Sequence, residues 1–259
     1  MAFKYDKLIF SDRLKKVIPQ KRTLKEIRPY LSNSNAQIKS GPVYLMYRGV
    51  AFKNDVQLFK QTNLRYDITV IYSKKLESEL TKTIGHYHPL KPKTGISYPE
   101  IYEVLSGYAY FLFQLIEKGN RARKLYLVLA RPGEKVIVPP GYGHITINAG
   151  KTPLIIANIY ASNVPASNYE FFRVHQGAAY YILKPLTRKN AVRKNNHYGT
   201  LGQLNLARPK EIGKLNIDFK TPLYALFRKN PDNFKFLTQP EKFKTLFNPR
   251  ILFQITGRL

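Results

Sequence analysis

The chain has 259 residues, with 43 lysines and arginines against 16 aspartates and glutamates and with neither cysteine nor tryptophan. A hydrophobic share of 44% can build one sizeable core, so the length suits one domain, or one domain with an appendage. The missing cysteines exclude a disulfide framework and thiolate metal sites and fit a reducing cytoplasm, and no apolar run nears the roughly 20 residues that cross a bilayer.

Residues 1–27 are studded with lysine and arginine and lack an apolar stretch, so no signal peptide is expected. Within residues 10–32, Leu14, Ile18, Leu24, Ile27 and Leu31 recur at helical spacing, broken at Pro19 and Pro29. From residue 42 to 182 the pattern changes to strand. Residues 66–72, 100–105, 108–116, 124–130, 135–138, 144–148 and 154–160 are short runs rich in Val, Ile, Tyr, Phe and Thr, separated by Gly, Pro and Asn. Such spacing, without intervening helical periods, predicts an all-β sandwich or barrel.

Residues 186–215 are basic and weakly patterned and read as an extended crossing segment. Beyond them, Pro222, Pro231 and Pro240 each stand at the expected first position of a short helix. The expected organisation is an N-terminal arm (1–40), a barrel carrying the site (41–185) and a basic C-terminal extension (186–259). The C-terminal third is the most basic part, with 16 basic and 4 acidic residues over 176–259. A field of that sign attracts anions in general, from phosphorylated metabolites to nucleic acid, without choosing among them. Phe234, Phe236, Phe243 and Phe247 are the expected anchors of the extension on the barrel or on a second copy of it.

Chemistry concentrates at three of the five histidines. Side chains two apart on a strand share a face, so His86 and His88 present their imidazoles side by side. The same parity puts Glu100, Tyr102 and Val104 on one face and Glu103 on the other. It also groups His144 with Thr146 and Asn148 and turns Ile145 and Ile147 outward. Three imidazoles and a carboxylate converging in a barrel suit one divalent metal: Fe, Mn, Co, Ni or Zn. Parity with Tyr102 and the distance to Gly107 favour Glu100 over Glu103 as the fourth ligand. His175 and His197 fit no such pattern and read as structural or surface residues.

The run Gly133, Pro139, Gly141, His144, Asn148 fits the cupin signature at every spacing. His86-Tyr87-His88 and Glu100 through Gly107 resemble its first half, with a long insert, residues 89–99, between His88 and Glu100. The resemblance implies a small cupin jelly-roll barrel. Together with Thr83-Ile84-Gly85 ahead of the histidine pair, Glu100-Ile101-Tyr102, Val138-Pro139-Pro140 and Ile159-Tyr160-Ala161, the chain resembles the cupin-type glucose-6-phosphate isomerases of archaea over residues 44–182. That resemblance implies a metal, iron first, on His86, His88, Glu100 and His144. It implies a sugar-phosphate pocket formed by Tyr44, Thr69, Thr83, Gly85, Tyr102, Tyr160 and Tyr169. It further implies a phosphorylated sugar substrate, a homodimer, a cytoplasmic location and a role in glycolysis and gluconeogenesis, with no membrane partner. Ser167 stands where the family carries a histidine. Glu100, as ligand and proton carrier, and Tyr102 are the expected catalytic residues. Other readings are a cupin enzyme on another phosphosugar, an oxygenase, or a non-catalytic barrel binding sugar or nucleic acid.

Overall fold

In the computed structural model, which describes residues 2–4, 7–34, 41–117 and 121–259, the expected strands assemble into two facing sheets. Part of the expected arm, at residues 1, 5, 6 and 35–40, lies outside the described residues. In chain order the elements that matter are β1 (Gln20–Thr23), α1 (Leu24–Ile27), β2 (Pro42–Tyr47), α2 (Val56–Thr62) and β3 (Leu64–Ile71). Then follow β4 (Glu100–Ser106), β5 (Ala109–Glu117), β6 (Arg121–Ala130), β7 (Lys135–Val138), β8 (Gly143–Asn148) and β9 (Leu154–Ala161). The chain ends with α3 (Glu170–Val174), β10 (Leu204–Pro209), α4 (Leu223–Lys229), α5 (Pro249–Leu252) and β11 (Phe253–Arg258).

One sheet runs β7-β4-β9-β3-β2-β1, all antiparallel, and the other β8-β5-β6-β10-β11. They are not closed into one continuous barrel. Their inner faces meet: the Tyr102 ring on β4 lies 5.2 Å from the Phe111 ring on β5, and Asn148 on β8 donates to the Ile71 carbonyl at 3.0 Å. The all-β jelly-roll expectation is borne out. β9 is buried at every position, because its inner face fills the sandwich and its outer face is covered as well. Gly107 makes the tight crossing from β4 in one sheet to β5 in the other. It sits at φ +86°, and a side chain there would stand 3.2 Å from the Leu154 Cα.

The helical reading of residues 10–32 holds only briefly. Thr23 and Glu26 form a capping box that starts α1, and Pro29 follows so soon that the helix gives way to a 3-10 turn, Arg28–Tyr30. Ahead of it, Gln20–Thr23 pairs with β2 as an edge strand, and Ile18 is fully outside the core. Ile145 and Ile147 do point away from the sandwich interior, yet they are buried at 3% and 1% exposure. The segment containing α3 lies over the first of them, with Phe172 seated against Gly85 and Ile145.

The C-terminal proline positions also differ in detail. Pro222 is the cap residue of α4 rather than its first helical residue, while Pro231 and Pro240 open 3-10 turns, Pro231–Leu237 and Pro240–Lys242. The expected crossing segment contains β10, which pairs in parallel with β6, and β11 then pairs with β10. Phe234, Phe236 and Phe247 are buried and Phe243 packs partly buried against them. The extension therefore completes one sheet and caps the outside of the other.

The second contact depends on Glu103, whose side chain leaves β4 on the face opposite Glu100. It is buried, with the Lys135 ammonium 3.3 Å away and the Leu223 N–H donating to it at 2.9 Å. Lys135 in turn donates to the Thr221 carbonyl at 2.6 Å. A buried ion pair between β4 and β7 thus fixes the start of α4. Removing one partner strands the other charge in the core. Lys135→Met is expected to lower stability by about 3–5 kcal/mol in denaturant unfolding. A loss below about 1 kcal/mol would show that the pair does not anchor the extension.

Candidate metal centre and pocket

The first histidine segment runs along the free edge of β8. Thr83 N–H donates to the Thr146 carbonyl at 2.9 Å, and Asn148 N–H to the Thr81 carbonyl at 2.8 Å. His86 and His144 are directly opposite, exchanging backbone hydrogen bonds at 3.3 and 3.1 Å. Such a pair sets side chains on the same face close together, and the two rings lie 4.4 Å apart. His88, two residues on, brings its ring to 4.9 Å from His144. Glu100, at the start of β4, reaches the cluster from the facing sheet. Its Oε2 is 3.2 Å from His88 Nε2 and 3.6 Å from His144 Nε2. One ligand atom from each of His86, His88, Glu100 and His144 lies within 4.8 Å of the others.

The long insert supports this arrangement in a way its sequence does not reveal. Residues 89–98 fold back on themselves through a Leu90–Ser97 bridge, with Tyr98 N–H donating to the Pro89 carbonyl at 3.1 Å. The Tyr98 carbonyl then takes His88 Nδ1 at 2.8 Å. That contact puts the ring proton on Nδ1 and leaves the Nε2 lone pair facing the cluster. Ser97 Oγ accepts from Gly141 N–H at 2.7 Å, holding the Pro139-Pro140-Gly141 turn that leads into His144. Lys91 reaches Glu241 of the C-terminal extension at 2.7 Å.

The cluster's chemistry fits a divalent cation. Both ring nitrogens of His144 are buried without a hydrogen-bond partner among the described residues. Burial, then the neighbouring histidines, holds His86 well below its ordinary value, and burial lowers His144 too, so both rings are neutral. Burial opposes the charge on Glu100, but contacts with His144 and His88 outweigh it and keep the carboxyl ionised. Neutral imidazoles with free lone pairs around one carboxylate are what an iron-, manganese- or zinc-type site requires.

A cavity of about 320 Å³ opens onto the cluster. His86, His88 and Glu100 line it, as do the expected pocket residues Tyr44, Thr69, Thr83, Tyr102, Tyr160 and Tyr169. Gly85 is not in the lining: a side chain there would overlap the Phe172 ring and stand 2.7 Å from Ile145. Its place is explained by that close packing. The Tyr160 ring lies tilted 4.6 Å from His88, and its buried hydroxyl has no hydrogen-bond partner among the described residues. Tyr169 lies 5.1 Å from His86. Burial, followed by the Glu100 charge, raises Tyr102 and Tyr160, and burial pushes Tyr44 up to about 12. All three phenols keep their protons and can donate. Tyr102 is also hydrogen-bonded to Glu100.

Sequence reasoning missed the cavity's arginines. Arg22, Arg48 and Arg65 all line it. Asp67, buried on β3, accepts from Arg65 Nε at 2.8 Å, Arg48 Nη1 at 3.1 Å and Gly49 N–H at 2.8 Å. The missed signal is the inward parity of Arg65, Asp67 and Thr69 on one strand. Ser167 lines the cavity. His175 is stacked on Phe171 at 4.2 Å and hydrogen-bonded to its carbonyl, and His197 is exposed, so neither joins the cluster. No helix among the described residues is long and apolar enough to cross a membrane.

Among solved structures, the chain is similar to a recombinant oxalate oxidase in complex with glycolate, at 20% identity over 54% of this chain and 61% of that one, with a TM-score of 0.37. A Bacillus subtilis oxalate decarboxylase OxdC mutant is similar at 16% identity over 52% and 30%, with a TM-score of 0.35. Among curated proteins, glucose-6-phosphate isomerase of Pyrococcus abyssi is 34% identical over 104 residues, covering 40% of this chain and 50% of that protein. The Thermococcus onnurineus protein of the same name is 30% identical over 145 residues, covering 55% and 69%. This chain thus spans about half the length of the first of these relatives. Residues 20–200, well over half the chain, match the family model described as "Glucose-6-phosphate isomerase (GPI)", and the chain belongs to that family.

Proposed function

We propose that this chain is a metal-dependent aldose–ketose isomerase that interconverts glucose 6-phosphate and fructose 6-phosphate. The observation that carries the reading is the convergence of His86, His88, Glu100 and His144 at a cavity lined by hydroxyls and arginines, in a chain of this family. In this reading residues 41–185 form the catalytic unit and 186–259 an extension that stabilises it. The working protein is a cytoplasmic homodimer of glycolysis and gluconeogenesis.

His86, His88, Glu100 and His144 hold the metal, with iron preferred. When bound, it would supply Lewis acidity toward the reacting oxygens of the substrate. The isomerisation moves one hydrogen between C1 and C2 with no net redox change. Glu100 is the carboxylate placed to carry that proton, because it lies at the cluster and faces the cavity. Tyr102 keeps its proton and, donating it to the Glu100 carboxylate, orients that group toward the substrate. The Tyr160 hydroxyl, beside His88 and without a partner among the described residues, supplies a donor to a substrate oxygen. Thr69, Thr83, Tyr44 and Tyr169 anchor the far end of the substrate, and that remote binding orients the reacting carbons.

The test is a coupled assay for conversion of fructose 6-phosphate to glucose 6-phosphate, run before and after chelation. Activity should vanish on stripping and return with Fe, Mn, Ni, Co or Zn. Full activity in metal-free protein, or none with any metal, would remove this reading, and oxygen consumption would point to an oxygenase instead. In Glu100→Gln, turnover should fall by about 10²–10⁴-fold, the range for losing a general acid–base. Turnover within about twofold of wild type in that variant would exclude Glu100 as the proton carrier. For a proton-transfer route, turnover in deuterated water should place deuterium at C1 or C2. Its complete absence would favour a direct hydride shift.

A further inference from the structure

We propose that Arg22, on the edge strand β1, binds the phosphate of the substrate through its guanidinium, beside Tyr44. This rests on the sugar-phosphate reading above and adds a residue to it. Register places Arg22 directly beside Tyr44, and both line the cavity. The Tyr44 hydroxyl accepts from Ile84 N–H at 3.3 Å, next to Thr83, so Arg22 stands at the threonine end of the pocket. Its charge falls on both Tyr44 and Tyr169. Ser167, two residues before Tyr169, lines the same cavity and brings no charge.

Arg22 is held in place by the helix that follows it. Glu26 Oε2 accepts from Thr23 N–H and Thr23 Oγ1, each at 2.8 Å, closing the capping box of α1. Its other oxygen, Oε1, accepts from Arg22 Nη1 at 2.7 Å. One carboxylate therefore fixes both the helix start and one prong of the guanidinium fork. The guanidinium also hydrogen-bonds the Tyr44 hydroxyl, so the fork's remaining N–H groups and the Tyr44 O–H face the cavity together as donors for a phosphate.

The pocket's other arginines are committed differently. Arg48 and Arg65 share Asp67, whose side chain is only 3% exposed, and Arg65 lies across from Tyr160 in the sheet. Their charges act on Tyr102 and Tyr160, near the metal cluster. Glu26 is 39% exposed, so solvent screens its hold on Arg22 and an incoming dianion competes with it.

The test is calorimetric titration of the full chain with inorganic phosphate, comparing wild type with Arg22→Ala and Arg22→Lys. The control is Arg123→Ala, an exposed arginine on β6. Arg22→Ala should weaken phosphate binding by about tenfold or more, Arg22→Lys by less, and Arg123→Ala by under about twofold. If Arg22→Ala fails to melt cooperatively, Arg22→Gln, which can still bond Glu26, gives the reading. A loss below about fivefold in the Arg22 variant overturns the proposal, as do an equal loss in Arg123→Ala and a wild type that binds no phosphate. The titration needs no turnover. Phosphate binding lost with Arg22 in a protein that does not isomerise would remove the isomerase reading and leave this assignment standing.

Discussion

Three imidazoles and a carboxylate, brought together from two facing sheets and largely cut off from water, are the arrangement on which the rest of this molecule depends. A buried polar atom without a partner costs about 1–3 kcal/mol, and among the described residues His144 leaves two such nitrogens. A cation there would take up the single lone pair of the neutral His144 ring and offset the Glu100 charge together. The fold offers it a rigid seat, because His86 and His144 are locked opposite one another by paired backbone hydrogen bonds and His88 is turned by the Tyr98 carbonyl. A site built on paired strands holds its geometry better than one built on free loops.

The same strand, β4, links the site to the stability of the chain. Glu100 and Tyr102 face inward, and Glu103 faces outward onto Lys135 and the start of α4. The basic extension, whose charge suggested a separate binding role, thus has a structural one. β10 extends the sheet beyond β6, and Phe234 and Phe236 are wholly buried. Through Lys91 and Glu241 it also touches the insert that orients His88. Metal seat, insert and extension are consequently joined in one contact network.

Much of this was legible in the chain. Two-residue periodicity grouped His86 with His88 and Glu100 with Tyr102, because strand parity is a local property. Strand positions were recovered within one to three residues for the same reason. The helix expected over residues 10–32 failed because two prolines and a capping box act over a few residues and override a loose apolar period. Arg22, Arg48, Arg65 and Asp67 were illegible as a group, since their proximity comes from cross-strand register. The work of the insert was hidden for another reason: it acts through the Tyr98 carbonyl and the Ser97 hydroxyl, which no residue pattern announces. β10 and β11 were missed because their pairing partners lie far off in the chain.

The central claim is that one metal sits among His86, His88, Glu100 and His144. Anomalous diffraction from crystals of the manganese- or iron-loaded protein tests it most directly. The account predicts one strong peak about 2.0–2.2 Å from a nitrogen of each of the three imidazoles and from a Glu100 oxygen. A fully loaded crystal with its peak elsewhere, or with none at these four side chains, would contradict it.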